Sequence, residues 1–405
     1  MKFLHTADLH IGKKLFELSL IEDQKYILEQ IAGIAEKEQV DAVLIAGDVY
    51  DRAVPSTEAV SLLDSFLTGL QEKGIPVIMI SGNHDSPERV AFADAILEKQ
   101  GLYIAGNYQE PLKTVVLEDE YGPVHFVCMP FVKPAVTGSS TGAEAVEHML
   151  SKLPMTLSMH QRYVLLTHYF VVGEQGEVPD LSDSETDVNV GGLDSVPVSL
   201  FQNFCYVALG HIHKPQQIGK LQQIGNPERA NKLQGIHAPQ EINKSHVHYS
   251  GSPLKYSFSE ARGEKSVNIV ELNENGVEKV TRYPLKPLRE MRCIKGRLEE
   301  LMRRDVIAEN ADCLEDYIQV TLTDEEELID PMGTLRSVYP NVLQLLLEKR
   351  LVGEERGYES SISFEKKSIA ELFGEFYEML KGEPLDEKRK QVVTEAAEEA
   401  ERVLQ

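Results

Sequence analysis

Ile75-Pro76-Val77-Ile78-Met79-Ile80-Ser81-Gly82-Asn83-His84-Asp85-Ser86-Pro87 runs from an apolar strand straight into a polar turn. The apolar run predicts a buried strand, and Ser86-Pro87 predicts the turn that follows it. Ligands of open α/β sheets collect at the carboxyl ends of strands, so a polar tetrapeptide placed there is a candidate site. Asn83 offers a neutral oxygen ligand, and His84 can bind a metal or move a proton. Asp85 offers a carboxylate to orient its neighbour. Taken alone, the tetrapeptide reads equally well as ordinary turn chemistry.

The same arrangement recurs on both sides. Residues 2–7 predict a strand ending in Asp8-Leu9-His10, and residues 40–46 one ending in Gly47-Asp48-Val49-Tyr50-Asp51. Helical spacing covers 21–38 and runs from a Ser56 or Thr57 cap to about residue 73. Strand and helix in alternation, with polar strand ends, predict an α/β fold. A β-hairpin over 114–130 is expected to continue the sheet, followed by a helix over 142–153. A strand at 163–167 delivers His168, and another at 204–209 delivers Gly210-His211-Ile212-His213. Residues 174–194, rich in carboxylates without a basic residue, read as a solvated acidic loop. Residues 214–248 read as an extended surface loop whose His237, His246 and His248 have structural or surface roles. Further β structure is expected at 266–271.

Pro284 to Pro287 mark a boundary, giving a first domain over 1–283. Strands at 292–295 and 317–322 with helices at 298–304 and 334–339 predict a small α+β capping domain over 284–352. Helices at 368–381 and 386–403, broken at Gly382-Glu383-Pro384, predict a C-terminal hairpin within 365–405. Ile369, Leu372, Phe373, Phe376 and Leu380 form a stripe on the first, which suits docking of a partner.

The 405 residues hold room for roughly two or three domains. No apolar run is long enough to span a membrane, and Asp8 interrupts the N-terminus too early for a signal peptide. Four dispersed cysteines suit reduced, packed thiols in the cytoplasm. The net charge of −24 argues against a generic basic nucleic-acid binder. It leaves open phosphate chemistry through bound divalent metals, whose charge reverses the local field.

Collected, the strand ends offer Asp8, His10, Asp48, Asn83, His168, His211 and His213. Residues two apart on a strand face one side, so Asp8 with His10 and His211 with His213 each present two ligands. Carboxylate, imidazole and amide without thiolate suits Mn²⁺, Fe²⁺ or Zn²⁺. Seven ligands exceed the need of one tetrahedral ion and match two ions sharing a carboxylate.

These five clusters, D-x-H, G-D-x-x-D, G-N-H-D, H and G-H-x-H, resemble the calcineurin-like metallophosphoesterase superfamily. The opening Phe3-Leu4-His5-Thr6-Ala7-Asp8-Leu9-His10-Ile11-Gly12, the Gly251-Ser252-Pro253 turn and the small C-terminal domain are similar to the bacterial SbcD family of nuclease subunits. The resemblance implies a β-sandwich flanked by helices. It implies one ion on Asp8, His10, Asp48 and His213, a second on Asn83, His168 and His211, and Asp48 bridging. His84 would protonate a leaving 3′ oxygen with Asp85 orienting it. Asp51 reads as a turn residue. By the same resemblance the metal is Mn²⁺, the substrates are DNA double-stranded ends and hairpins, and the chain is a homodimer. The partner would be an SbcC-type ABC ATPase docked on the C-terminal helices; no Walker A motif occurs here to supply ATP control. The competing readings are a phosphatase or small-molecule phosphodiesterase on the same core, and a non-catalytic scaffold.

Overall fold

The apolar runs become strands in which both faces are covered. In chain order, the first half comprises β1 (Lys2–Thr6), α1 (Ile21–Lys37), β2 (Ala42–Ala46), α2 (Thr57–Glu72), β3 (Val77–Ile80) and β4 (Leu102–Ala105). The second comprises β5 (Thr114–Asp119), β6 (Gly122–Met129), α3 (Gly142–Ser151), β7 (Arg162–His168), β8 (Tyr206–Gly210), β9 (Gln216–Ile218) and β10 (His246–Tyr249). Two long strands follow, β11 (Lys265–Asn273) and β12 (Gly276–Leu285), then β13 (Met291–Gly296), β14 (Tyr317–Leu322) and β15 (Val342–Leu347). The computed structural model describes residues 1–153, 162–173, 177–185, 195–219, 246–326, 328–348, 389–391 and 393.

One six-stranded sheet runs β12-β11-β1-β2-β3-β4, a second β9-β10-β8-β7-β6-β5, and the two stack into a sandwich. Strands β1 to β4 are parallel neighbours, as are β6, β7, β8 and β10. Phe3, Leu44, Ile78 and Ile80 meet Phe126, Val164, Leu166 and Tyr206 between the sheets. The alternate residues Leu4, Val43, Ile45, Val77 and Met79 pack on α1 and α2 instead. Burial on both faces explains why these strands read as continuous apolar runs. Ala59, Leu63, Phe66 and Leu70 form the inward face of α2. Its start is fixed by Ser56, whose Oγ accepts from the Ala59 N–H at 3.3 Å, a cap worth about 1 kcal/mol.

The carboxyl ends of β1, β2, β3, β7 and β8 converge on one edge of the sandwich. Two glycines let them close. An added Cβ on Gly47 would lie 2.4 Å from His168 Nδ1, and one on Gly210 would lie 2.0 Å from the Ala46 carbonyl.

Several expectations need correction. The hairpin of β5 and β6 opens the second sheet rather than extending the first, because β6 pairs with β7. Both ends of the expected surface loop 214–248 form strands, β9 and β10; His246 and His248 sit in the ladder of β10 with β8, and His237 lies outside the described residues. The helix expected at 334–339 occupies Pro331–Arg336. β15 lies where the sequence pattern predicts no strand; it pairs parallel with β14. This third sheet has its own core of Ile318, Val320, Leu322, Leu335, Tyr339 and Val342.

Residues 1–349 form one compact unit and 350–405 a second. In the latter, 389–391 and 393 are helical; the helices expected at 368–381 and 386–403 otherwise lie outside the described residues. Among the described residues no helix is long and apolar enough to cross a membrane.

Candidate metal centre

Four of the converging residues stand on backbone that L side chains seldom adopt. Asp8, His10, Asp48 and His211 have φ of +53°, +43°, +49° and +101°. Such conformations cost of order 1–3 kcal/mol each and persist where the surroundings over-determine them. Here they turn each side chain inward at the end of its strand.

The result is a buried cluster of nitrogen and oxygen atoms. His10 Nε2 lies 3.1 Å from His213 Nε2 and 3.6 Å from Asp48 Oδ2. His168 Nε2 lies 3.2 Å from Asp48 Oδ2 and 3.0 Å from Asn83 Oδ1, and His211 Nδ1 lies 3.1 Å from the same Asn83 oxygen. His168 Nδ1–H donates to the Ala46 carbonyl at 2.8 Å, and Asp8 Oδ1 accepts from the His211 N–H at 2.8 Å. Asp48 thus stands between a His10 side and a His168 side.

Burial pushes the imidazoles of His10 and His211 down to about 3 and that of His213 well below its ordinary value. Neutral rings hold lone pairs that a cation can take without displacing a proton. Burial also acts to lower His168, but the carboxylates of Asp48 and Asp8 outweigh it and hold the ring up at about 9. Burial raises Asp8. In Asp48 the charge of His168 and its hydrogen bond overcome burial and hold the carboxyl low.

The donor set fits divalent cations. Asp8 with His10 and His213, Asp8 with Asp48 and His168, and His10 with Asp48 and His84 each converge closely enough to share an ion. Asp8 Oδ2 is fully buried without a hydrogen-bond partner, a cost of about 1–3 kcal/mol that coordination would remove.

Residues 1–215 match the family described as calcineurin-like phosphoesterase.

The chain belongs to that family.

Within it, the chain is 32% identical over 398 residues to the SbcD component of the nuclease SbcCD from Staphylococcus epidermidis, covering 96% of this chain and 95% of that one. The corresponding Staphylococcus saprophyticus protein is also 32% identical, over 399 residues and 95% and 94% of the two chains. Residues 287–380 match a family described as type 5 capsule protein repressor C-terminal domain. Among solved structures, a Thermus thermophilus protein and a dimetal phosphatase of Danio rerio show distant likeness, with TM-scores of 0.39 and 0.37 at 13% and 12% identity. They cover 70% and 71% of this chain and 99% and 98% of their own. The chain is a calcineurin-like phosphoesterase of the SbcD type, a metal-dependent phosphodiesterase.

All seven expected ligands come together in this phosphoesterase site, and His84 joins them. Its side chain is 39% exposed, with Nε2 4.0 Å from Asp48 Oδ2. The expected role of Asp85 needs correction. Its buried carboxylate accepts from three backbone N–H groups, those of Val49, Tyr50 and Gly82, at 3.1, 2.9 and 2.8 Å. That ties the Asp48 turn to the Asn83 turn. The His84 ring is oriented instead by the Asp51 carbonyl, which accepts from Nδ1 at 3.0 Å.

A second group escaped the sequence reading. Ser184 Oγ lies 3.0 Å from His213 Nδ1 and donates to Glu260 Oε1 at 3.2 Å. With that direction of donation, His213 donates from Nδ1 and turns the Nε2 lone pair to the cluster. Glu185 accepts from the His213 N–H, and Lys265 Nζ donates to the His213 carbonyl at 2.7 Å and to Glu260. Glu185 and Lys265 are 3% and 6% exposed, so the loop expected to be solvated is anchored at Glu185.

Proposed function

We propose that the chain is the nuclease subunit of a two-component complex, hydrolysing phosphodiester bonds at DNA ends and hairpins with Mn²⁺. Asp8, His10, Asp48 and His213 would hold one ion, and Asn83, His168 and His211 a second, with Asp48 shared. Bound divalent ions supply a polarised phosphate and a hydroxide nucleophile at neutral pH. The chain's own residues do the rest. Tyr256 packs edge-on against His10 and His213 and keeps water from that side. The observation that carries the reading is the partly exposed His84 ring over a cluster whose other members, apart from Asn83, are buried. With Nδ1 committed to the Asp51 carbonyl, a protonated His84 presents Nε2–H to a leaving 3′ oxygen.

The boundaries proposed are 1–283 for the nuclease domain, 284–352 for a DNA-contacting cap, and 365–405 for helices that dock an SbcC-type ABC ATPase. The separate core of the third sheet supports the second. A homodimer is proposed on the family resemblance alone. A phosphatase or small-molecule phosphodiesterase is the second reading, favoured by the net charge of −24.

Cleavage of end-labelled hairpin and blunt duplex DNA with Mn²⁺, by wild type and His84→Gln with and without an SbcC-type ATPase, tests the proposal. Cutting that requires His84 and responds to the ATPase with ATP is the expected result. Absence of DNA cutting alongside rapid hydrolysis of a nitrophenyl phosphodiester would replace it with the second reading.

A further inference from the structure

Lys14–Leu15 and Leu18–Ser19 form a small antiparallel hairpin closed by the two residues Phe16 and Glu17. Both have positive φ, +46° and +70°. A two-residue hairpin loop of this kind belongs to Asn-Gly or Asp-Gly, because only such residues reach left-handed backbone without strain. An aromatic at its first position is an outlier. It also serves no core: Phe16 is 55% exposed. Phe258 backs one edge, with ring centroids 6.0 Å apart and planes tilted by 35°. A strained turn that holds an aromatic out into solvent calls for a ligand as its explanation.

The ring stands beside a groove of about 620 Å³, within the range of sites for small organic groups. Lys13, Lys14, Ser184, Tyr256, Gln319 and Gln344 line it with Phe16 and Phe258. The groove adjoins the metal centre, because two of its residues touch a metal ligand. Ser184 meets His213 Nδ1, and the Tyr256 ring lies 5.5 and 5.7 Å from the rings of His10 and His213. On the far wall Gln319 Nε2 donates to Gln344 Oε1 at 2.6 Å, joining β14 to β15. Lys13 is paired with Asp51 at 2.8 Å and Asp183 also lines the groove, so Lys14 is the cation left to meet a phosphate. An aromatic plane and side-chain amides are the surfaces that hold an unpaired base, through π stacking and base-edge hydrogen bonds.

We infer that Phe16 is the stacking platform for one unpaired DNA base of the strand whose phosphodiester occupies the metal centre. The inference rests on the nuclease reading above. It makes an unpaired or frayed nucleotide, rather than a closed base pair, the species the groove accepts. That would favour hairpin loops and melted ends over the interior of a duplex.

The test compares the Mn²⁺-loaded, full-length wild-type chain with Phe16→Ala, Phe16→Trp and Phe16→Gly. Substrates are a series of single-stranded DNA oligonucleotides, carrying one abasic site at successive positions, and bis(p-nitrophenyl) phosphate. Stacking on one aromatic contributes about 5- to 150-fold to affinity. Phe16→Ala should raise the KM for the intact oligonucleotide by a factor in that range, leave bis(p-nitrophenyl) phosphate turnover unchanged, and Phe16→Trp should retain wild-type KM. One abasic position should reproduce the loss in wild type and add nothing to Phe16→Ala. Phe16→Gly should raise Tm, since glycine takes positive φ without strain, while losing affinity like alanine. Equal KM for wild type and Phe16→Ala would overturn the inference. Wild type that hydrolyses bis(p-nitrophenyl) phosphate and leaves every oligonucleotide uncut would instead overturn the nuclease reading beneath it.

Discussion

The two sides of the centre hold their histidines by different means. On one, His168 Nδ1 donates to the backbone carbonyl of Ala46, and glycines 47 and 210 clear the space around the ring. On the other, His213 is held by side chains from distant segments: Ser184 on the ring, Glu185 on the N–H, and Lys265 on the carbonyl. A ligand oriented by backbone has no partner to mutate and fails only if the chain path changes. One oriented by side chains can be weakened in steps.

The largest effect is therefore expected on the backbone-built side. A Cβ on Gly82 would fall 2.1 Å from Asp48 Oδ1, and on Gly210 2.0 Å from Ala46 O. Gly210→Ala should destabilise by more than about 4 kcal/mol and abolish Mn²⁺ binding, read by denaturant melts and calorimetry; a native-like melt would break the comparison. Next, His84→Gln should lower kcat by about 10²–10⁴ with Mn²⁺ binding retained. Loss of metal would place His84 among the ligands instead.

On the side-chain-built side, Ser184→Ala should weaken Mn²⁺ binding by about tenfold, the low end of what outer partners contribute, since water reaches Ser184. Calorimetric titration resolves that, and unchanged affinity would show that Glu185 and Lys265 suffice. Smallest for the site, though not for stability, is Asp119→Asn. Arg162 pairs with both Asp119 oxygens at 2.8 and 2.7 Å and, with the Met1 ammonium, holds that carboxyl far below its ordinary value. A depressed carboxyl contributes stability above its unfolded pKa of about 3.9 and loses it as pH falls through the folded one. Asp119→Asn should cost roughly 1.5–3 kcal/mol at pH 7, and the difference from wild type should shrink below about pH 4. Nuclease turnover at 25 °C should stay unaltered.

The same contrast explains what was legible in the sequence. The candidate ligands and their glycines share a strand end, so Gly47-Asp48, Gly82-Asn83-His84 and Gly210-His211 announce themselves within a few residues. Buried parallel strands read clearly because the second sheet covers one face and helices cover the other. The assignment of β5 and β6 to a second sheet depends on pairing with β7, more than thirty residues away, and local pattern carries no trace of it. Glu185 and Lys265 were illegible for the same reason: nothing near them in sequence marks His213 as their partner. Asp85 misled because adjacency suggested His84, whereas three free N–H groups of neighbouring turns compete better for a buried carboxylate.

The left-handed backbone at Asp8, His10 and Asp48 has a consequence for anyone redesigning the metal preference. Among side chains with a ligating atom, aspartate, asparagine and histidine tolerate that conformation best, whereas cysteine and glutamate gain nothing from it. Converting the centre to a thiolate site would therefore require rebuilding three turns and not merely exchanging three letters. The preference for aspartate, asparagine and histidine at these positions is written into the path of the main chain.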